Sequence, residues 1–257
     1  MKLKAKLLSA FGAVALIALV LGFVGFYGTL QSSSSINEIG NIRLPSVESL
    51  LIMSEAQTAI DTNENALLSR GLALETRQEK YKNFDKIWQR ANEAWKVYEP
   101  LPQTDEEARV WAEFVPAWNS WKQSHKAYVG LSRQFDGLIP DSRRGDDLYV
   151  QMAEQALVRN AESFTKAETA LNRIVEMYRA KTETSAALGR VDVLTVWALL
   201  TISEAQTAVD SSENALLDRS ADLTLRKQQY QRIEQAWSRV DEAWKVYAPL
   251  EQTAEEA

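Results

Sequence analysis

The chain has 257 residues, 46% of them hydrophobic, with a formal net charge of -6, no cysteine and a single histidine. That length and apolar content suffice to bury a core and exclude disorder as the main state. The acidic balance argues against a nucleic-acid partner, and the lack of thiols beside one imidazole excludes a thiolate or multi-histidine metal centre, a thiol nucleophile and c-type haem attachment. Glycine and proline are few, 10 and 6, and strong helix formers dominate, so the fold is expected to be all-α.

The chain opens on Lys2, Lys4 and Lys6, followed by an uncharged stretch from Leu7 to Asn37 whose apolar part runs over residues 7–27. Roughly 20 residues at about 1.5 Å each cover a hydrocarbon core of ~30 Å. The stretch exceeds the apolar region of a cleaved signal peptide and no A-x-A site follows it. It is therefore expected to be a transmembrane helix, with Phe26 and Tyr27 at the interface. The lysines place the amino terminus in the cytoplasm and the remainder outside. Without those lysines, 26 basic residues face 35 acidic ones.

An internal repeat organises the rest of the chain. LLIMSEAQTAIDTNENALLSR, Leu50 to Arg70, returns as LLTISEAQTAVDSSENALLDR, Leu199 to Arg219, and 33 of 59 positions match without a gap at an offset of 149. Three regions are expected: cytoplasmic lysines and span over 1–30, a helical-bundle domain over 31–188, and a second, truncated repeat over 189–257. The second copy stops where the first enters a helix at Ala108, which predicts that the sequence is a fragment of a longer polypeptide.

In chain order, a first helix is expected from about Ser46 to Arg70, with Met53, Ala56, Ile60 and Leu67 inward and Gly71 near its stop. Thr76 with Glu79 reads as a capping box for a second helix, in which Tyr81, Phe84, Trp88, Ala91, Trp95 and Tyr98 step by 3 and 4 up to Pro100. Thr104 with Glu107 caps a third helix, kinked at Pro116, with Trp111, Phe114, Trp118, Trp121, His125 and Tyr128 inward. A long fourth helix carries Val150, Ala153, Leu157, Phe164, Leu171, Ile174 and Tyr178 toward Leu188. Short connections imply antiparallel neighbours, and 3/4 spacing implies shallow crossing angles, so the architecture is an antiparallel four-helix bundle with a partial tandem second copy. Arg190, Asp192 and Glu204 bracket too short an apolar run for a second span.

Polar residues supply the candidate site. Ser54, Gln57, Asp61 and Glu64 form a stripe on the first helix, with Asn65 and Arg70 at its far end. The stripe reads either as a solvated or dimer-facing surface or as a recognition surface on which Arg70 grips a carboxylate and Asn65 bonds a hydroxyl or amino group. Arg77 and Arg90 are further cations for an anionic ligand. Trp88 and Trp95 are core residues first and pocket walls second. His125 reads as a hydrogen-bonded core histidine. Asp61 and Glu64 lack the Glu-x-x-His partner of a carboxylate metal site, so neither metal, cofactor nor catalysis is expected.

The lysine-flanked span, NEIGNIRLPSVESL from Asn37 to Leu50, and helices carrying SEAQTAI, NEAWKVY and EPLPQT together resemble the four-helix-bundle, or helical bimodular, sensor region of bacterial methyl-accepting chemotaxis proteins. The likeness covers Lys2 to about Leu188, then a partial second sensor. It implies a non-enzymatic, homodimeric input module that binds a small organic acid or amino acid. Binding is then transmitted as a helix displacement to a cytoplasmic output that this sequence does not contain. A sensor histidine kinase or cyclase input, or a membrane-anchored scaffold for a protein partner, is the alternative. The polar stripe, the cations and the aromatic stripe together give Asn65, Arg70, Arg77, Trp88 and Trp95 as the candidate ligand-binding residues.

Overall fold

A computed structural model describes residues 19–23, 26–27, 33, 37–138, 143–183, 190–216 and 223–250. Every regular element among them is a helix. After a π-helical turn at Ile39–Arg43 come α1 (Leu44–Leu67), α2 (Leu74–Tyr98), α3 (Asp105–Asp136) and α4 (Arg143–Glu154). A second π turn, Gln155–Asn160, joins α4 to α5 (Ala161–Glu183), and α6 (Arg190–Leu216) and α7 (Leu223–Tyr247) make up the second copy.

The expected transmembrane helix falls mostly outside the described residues, and among these no helix is long and apolar enough to cross a membrane. Leu19, Val20, Leu21, Phe23, Phe26 and Tyr27 are exposed in helical conformation. Residue 189, where the second repeat is expected to begin, and the end of that repeat over 251–257 also lie outside the described residues.

The helix ends follow their local chemistry. Pro45 stands at the start of α1, where its missing N–H costs nothing. α1 closes at Leu67, three residues short of Arg70. The Thr76–Glu79 box is not the cap of α2, which starts earlier, after an extended Ala73 that makes no side-chain cap. Thr104 does cap α3: Glu107 N donates to Thr104 Oγ1 at 3.3 Å, and Thr104 N donates to Glu107 Oε2 at 2.6 Å. α3 then runs unbroken through Pro116.

α1 packs against α2, α5 and α6. A helix covered on three sides must bury its polar residues as well as its apolar ones. Ser46, Ser49, Ser54, Gln57, Thr58, Glu64 and Asn65 are accordingly buried alongside Leu50, Met53 and Ile60. The solvated reading of the polar stripe therefore does not hold.

α2 and α3 meet differently. Their backbones scarcely approach within 8 Å, because tryptophans fill the space between them. Trp88 packs on Trp118 and Trp121 at 5.6 and 5.1 Å between ring centroids, and Trp95 packs on Trp111 at 4.6 Å. α5 completes the ring by packing on α3 and α1, with Phe164 edge-on to Trp121 at 6.3 Å. The inward face of α4 is Leu148, Tyr149, Met152 and Ala156, whereas the expected Val150 is 63% exposed. Beyond the π turn, Phe164, Leu171, Ile174 and Tyr178 are buried as expected.

The second copy lies beside the first rather than beyond its end. α6 packs along α1, and α7 packs on α6. Thr62 Oγ1 donates to the Thr207 carbonyl at 3.1 Å, and Asn65 Nδ2 donates to Ser211 Oγ at 2.9 Å. Pairing partners rise together in number, so α1 and its repeat α6 run parallel, offset by about one turn.

Candidate functional site

Among the described residues, polar side chains gather in several places, and three of these bear on a site. The first centres on Glu64, whose side chain is 1% exposed. His125 Nδ1 lies 2.6 Å from Glu64 Oε1, and Asn160 Nδ2 donates to Oε2 at 2.7 Å. Gln155 Nε2 donates to Asn160 Oδ1 at 2.9 Å, and Tyr128 donates to the Glu64 backbone carbonyl at 2.7 Å. The wide π turn brings both Gln155 and Asn160 inward, where a buried carboxylate requires partners. Burial pushes the Glu64 carboxyl above the usual carboxylate range, against the bonds from His125 and Asn160. Two turns and three turns earlier, Gln57 and Ser54 are 1% exposed, and their polar side-chain atoms have no hydrogen-bond partner among the described residues.

The second assembly ties the end of α1 to α2 and α3. Arg77 is 3% exposed and donates to the Asp136 carboxylate, to the Leu67 carbonyl at 2.7 Å and to Ser132 Oγ at 2.8 Å. Tyr81 donates to Asp136 Oδ2 at 2.7 Å. The Leu67 bond satisfies a carbonyl that the last turn of α1 leaves orphaned. The second copy repeats it, with Arg226 donating to the Leu216 carbonyl at 3.0 Å.

The third assembly is open. A cleft of about 490 Å³ between the two copies is lined by Asp61 of α1, Glu168 and Asn172 of α5, Ser211 of α6, and Arg232 and Arg239 of α7, among others. That volume suits a small ligand. Arg239 is committed to Glu204 through bonds of 3.1 and 2.7 Å, and Asp61 accepts from Ser211 and Asn65. Glu168 and Arg232 have neither a hydrogen bond nor an ion pair with another side chain among the described residues. Burial, followed by the Glu204 charge, pushes the Glu168 carboxyl up to about 7. The cleft thus presents one carboxyl and one guanidinium that no other side chain hydrogen-bonds, with the charges of Arg239 and Arg232 acting on Glu168 against its upward shift.

The five residues singled out in the sequence do not converge. Arg77 and Trp95 stand 18 residues apart on α2, about 27 Å along the axis. Arg77 is engaged inside the bundle through Nε, Nη1 and Nη2, and Trp88 and Trp95 lie in the α2–α3 seam. Arg70 donates to Asp146 Oδ1 at 2.6 Å and lies over the Tyr149 ring at 4.0 Å, half-exposed. Asn65 comes nearest the cleft, through Ser211 and Asp61. His125 is the hydrogen-bonded core histidine that its position implies.

Glu168, Arg232 and Asn160 are not legible as site residues in the sequence. Asn160 carries one faint signal, a polar residue at the inward step between Leu157 and Phe164. Glu168 and Arg232 gain their meaning only from the docking of α7 near α5. No group of three or more potential metal-binding side chains occurs among the described residues.

The described residues thus form an all-helical ring of α1, α2, α3 and α4–α5, with buried polar groups set beside an aromatic core. The family described as a four helix bundle sensory module for signal transduction matches residues 1–188, and the chain belongs to it. The family is a signalling input domain rather than a catalytic one, which supports a chemoreceptor sensor domain in general. No curated protein and no solved structure matches the chain. The match covers α1 to α5 and ends before α6 begins.

Proposed function

We propose that the chain is the extracytoplasmic sensor of a membrane-anchored chemotaxis receptor, and that it binds a small zwitterionic solute of the amino-acid type in the cleft between its two copies. The observation that carries this reading is the pairing of Glu168 with Arg232, neither hydrogen-bonded by another side chain among the described residues, across one space of about 490 Å³. An ammonium group matches the first and a carboxylate the second. The amino-terminal lysines, the uncharged run over residues 7–27 and the exposed apolar side chains from Leu19 to Tyr27 support a membrane anchor.

A ligand bridging α5 and α7 favours one spacing of those helices over another. Because α7 rests on α6 and α6 on α1, that preference reaches the helix leading back to the membrane. A homodimer, implied by the resemblance to chemotaxis receptors, then pairs through a face other than the one α6 covers on α1.

Thermal-shift titration of the full chain in detergent tests the reading, using amino acids, dicarboxylates and simple amines as probes. Amino acids are expected to raise the melting temperature, with dicarboxylates and amines weaker. Glu168→Gln and Arg232→Ala each remove the shift. Ammonium binding requires ionised Glu168, so affinity is present above pH 7 and lost as pH falls through about 7. A flat screen, or a shift that survives Arg232→Ala, overturns the proposal.

A further inference from the structure

α7 leaves a stripe of large aromatic side chains in solvent: Tyr230, Trp237 and Trp244 are 52%, 53% and 56% exposed. Seven residues separate each from the next, so they share one face of the helix. Contiguous exposed aromatics of this size mark an interaction surface. The molecule itself contains the covered form of that surface.

At the repeat offset of 149, Tyr230, Trp237 and Trp244 correspond to Tyr81, Trp88 and Trp95. Those three face α3. Tyr81 is 8% exposed and bonds Asp136, Trp88 packs on Trp118 and Trp121, and Trp95 packs on Trp111. The α6–α7 hairpin also reproduces the ties that set the geometry of α1–α2. Arg226 holds the Leu216 carbonyl as Arg77 holds that of Leu67, and Arg239 pairs with Glu204 as Arg90 pairs with Glu55. The two hairpins therefore present the same face, one occupied and one bare.

The polar half of the seat is bare as well. Glu64 receives His125 from α3, whereas its counterpart Glu213 is exposed. Charge adds a preference. Glu234 and Asp241, exposed on α7, stand where the first copy has Asp85 and Asn92, so the second seat is the more acidic. In the first copy a cation already meets the stripe, with Lys122 of α3 4.6 Å from the centre of the Trp88 ring.

From this internal template we infer that the α6–α7 hairpin is a docking seat for an amphipathic helix of α3's type. That helix runs antiparallel to α7 and carries aromatic residues at the spacing of Trp111, Phe114, Trp118 and Trp121, with a basic residue on its flank. Pairing of α7 with α7 of a second copy is disfavoured, because it brings Glu234 and Asp241 against their own like charges.

The probe is a fluorescently labelled peptide of residues Thr104 to Leu138, titrated by anisotropy with the full chain in detergent. Saturable binding is expected at roughly micromolar concentration. The double substitution Trp237→Ala/Trp244→Ala, on exposed positions that leave the helical content unchanged, weakens binding about tenfold or more. A peptide with Phe114→Asp and Trp118→Asp does not bind. The double substitution separates this seat from exchange of the peptide into α3's own place. Absence of saturable binding overturns the inference. So does binding that the α7 substitutions leave unchanged, or self-association through α7 that the peptide does not compete away. None of these outcomes depends on a ligand in the cleft.

Discussion

The helices α1 and α6 are built from nearly the same sequence and live in different surroundings. Gln57 and Glu64 of α1 are 1% exposed, while their counterparts Gln206 and Glu213 are exposed. On the next helix of each copy, Tyr81 is 8% exposed and Tyr230 is 52% exposed. What changes between the copies is the neighbours: α1 has α2, α5 and α6 around it, with α3 reaching it through His125 and Tyr128, whereas α6 has α1, α7 and a limited contact with α5. The local chemistry that survives in both copies is the chemistry each hairpin supplies to itself. Everything that needs a third or fourth helix is present once.

The comparison predicts unequal costs for equal substitutions, measured by denaturant unfolding of the full chain. Arg77→Ala is expected to be the most damaging, at about 3–4 kcal/mol, because it takes the cation from the part-buried Asp136 carboxylate as well as freeing the Leu67 carbonyl. Arg226→Ala loses a single bond to a carbonyl, about 1 kcal/mol. Equal costs would show that Asp136 contributes nothing and that the hairpin bond is the whole of Arg77's role. Next comes Glu64→Ala, at about 2–4 kcal/mol, which leaves His125 and Asn160 without their acceptor. Glu213→Ala on the exposed copy stays within about 0.5 kcal/mol.

How far the sequence speaks obeys the same division. The four-helix ring is legible because its signals are local: the tryptophan spacing on α2 and α3, Pro100 at a helix end, and the reciprocal bonds of Thr104 and Glu107. The polar stripe Ser54, Gln57, Asp61 and Glu64 is legible as a pattern but not as a place. Its burial is decided by distant helices, α3 and the π turn around Glu64 and α6 beside Asp61. The register of α4 departs from the expected one at Val150 because a π turn, which leaves no composition signal, resets the phase before Asn160. Glu168 and Arg232 are ordinary helix-surface residues until α5 and α7 enclose one cleft.

A change of sign is expected at Gln57. Its buried amide has no partner among the described residues, so Gln57→Leu, close in volume, removes an uncompensated desolvation and stabilises by about 1–2 kcal/mol. Gln206→Leu, exposed on α6, leaves the unfolding midpoint nearly unchanged. Destabilisation by Gln57→Leu would mean that the amide is hydrogen-bonded in solution.

The smallest effect isolates the one charged pair that both copies keep. Arg90 and Glu55 lie 2.8 Å apart with the arginine 52% and the glutamate 20% exposed, whereas Arg239 and Glu204 lie 2.7 Å apart with the glutamate only 2% exposed. Side-chain entropy and solvent screening leave an exposed pair about 0.2–1 kcal/mol. A double-mutant cycle on Glu55 and Arg90 is expected to return a coupling in that range that fades in high salt, since the screening length falls to ~3 Å at 1 M. The same cycle on Glu204 and Arg239 returns a larger coupling that salt changes little, because the glutamate has lost its water and α1, α5 and α7 stand around it. Equal couplings with equal salt dependence would mean that the cleft between the copies is as wet as the outer face of α2, and that docking α6 on α1 does not alter the electrostatics of the pair it encloses.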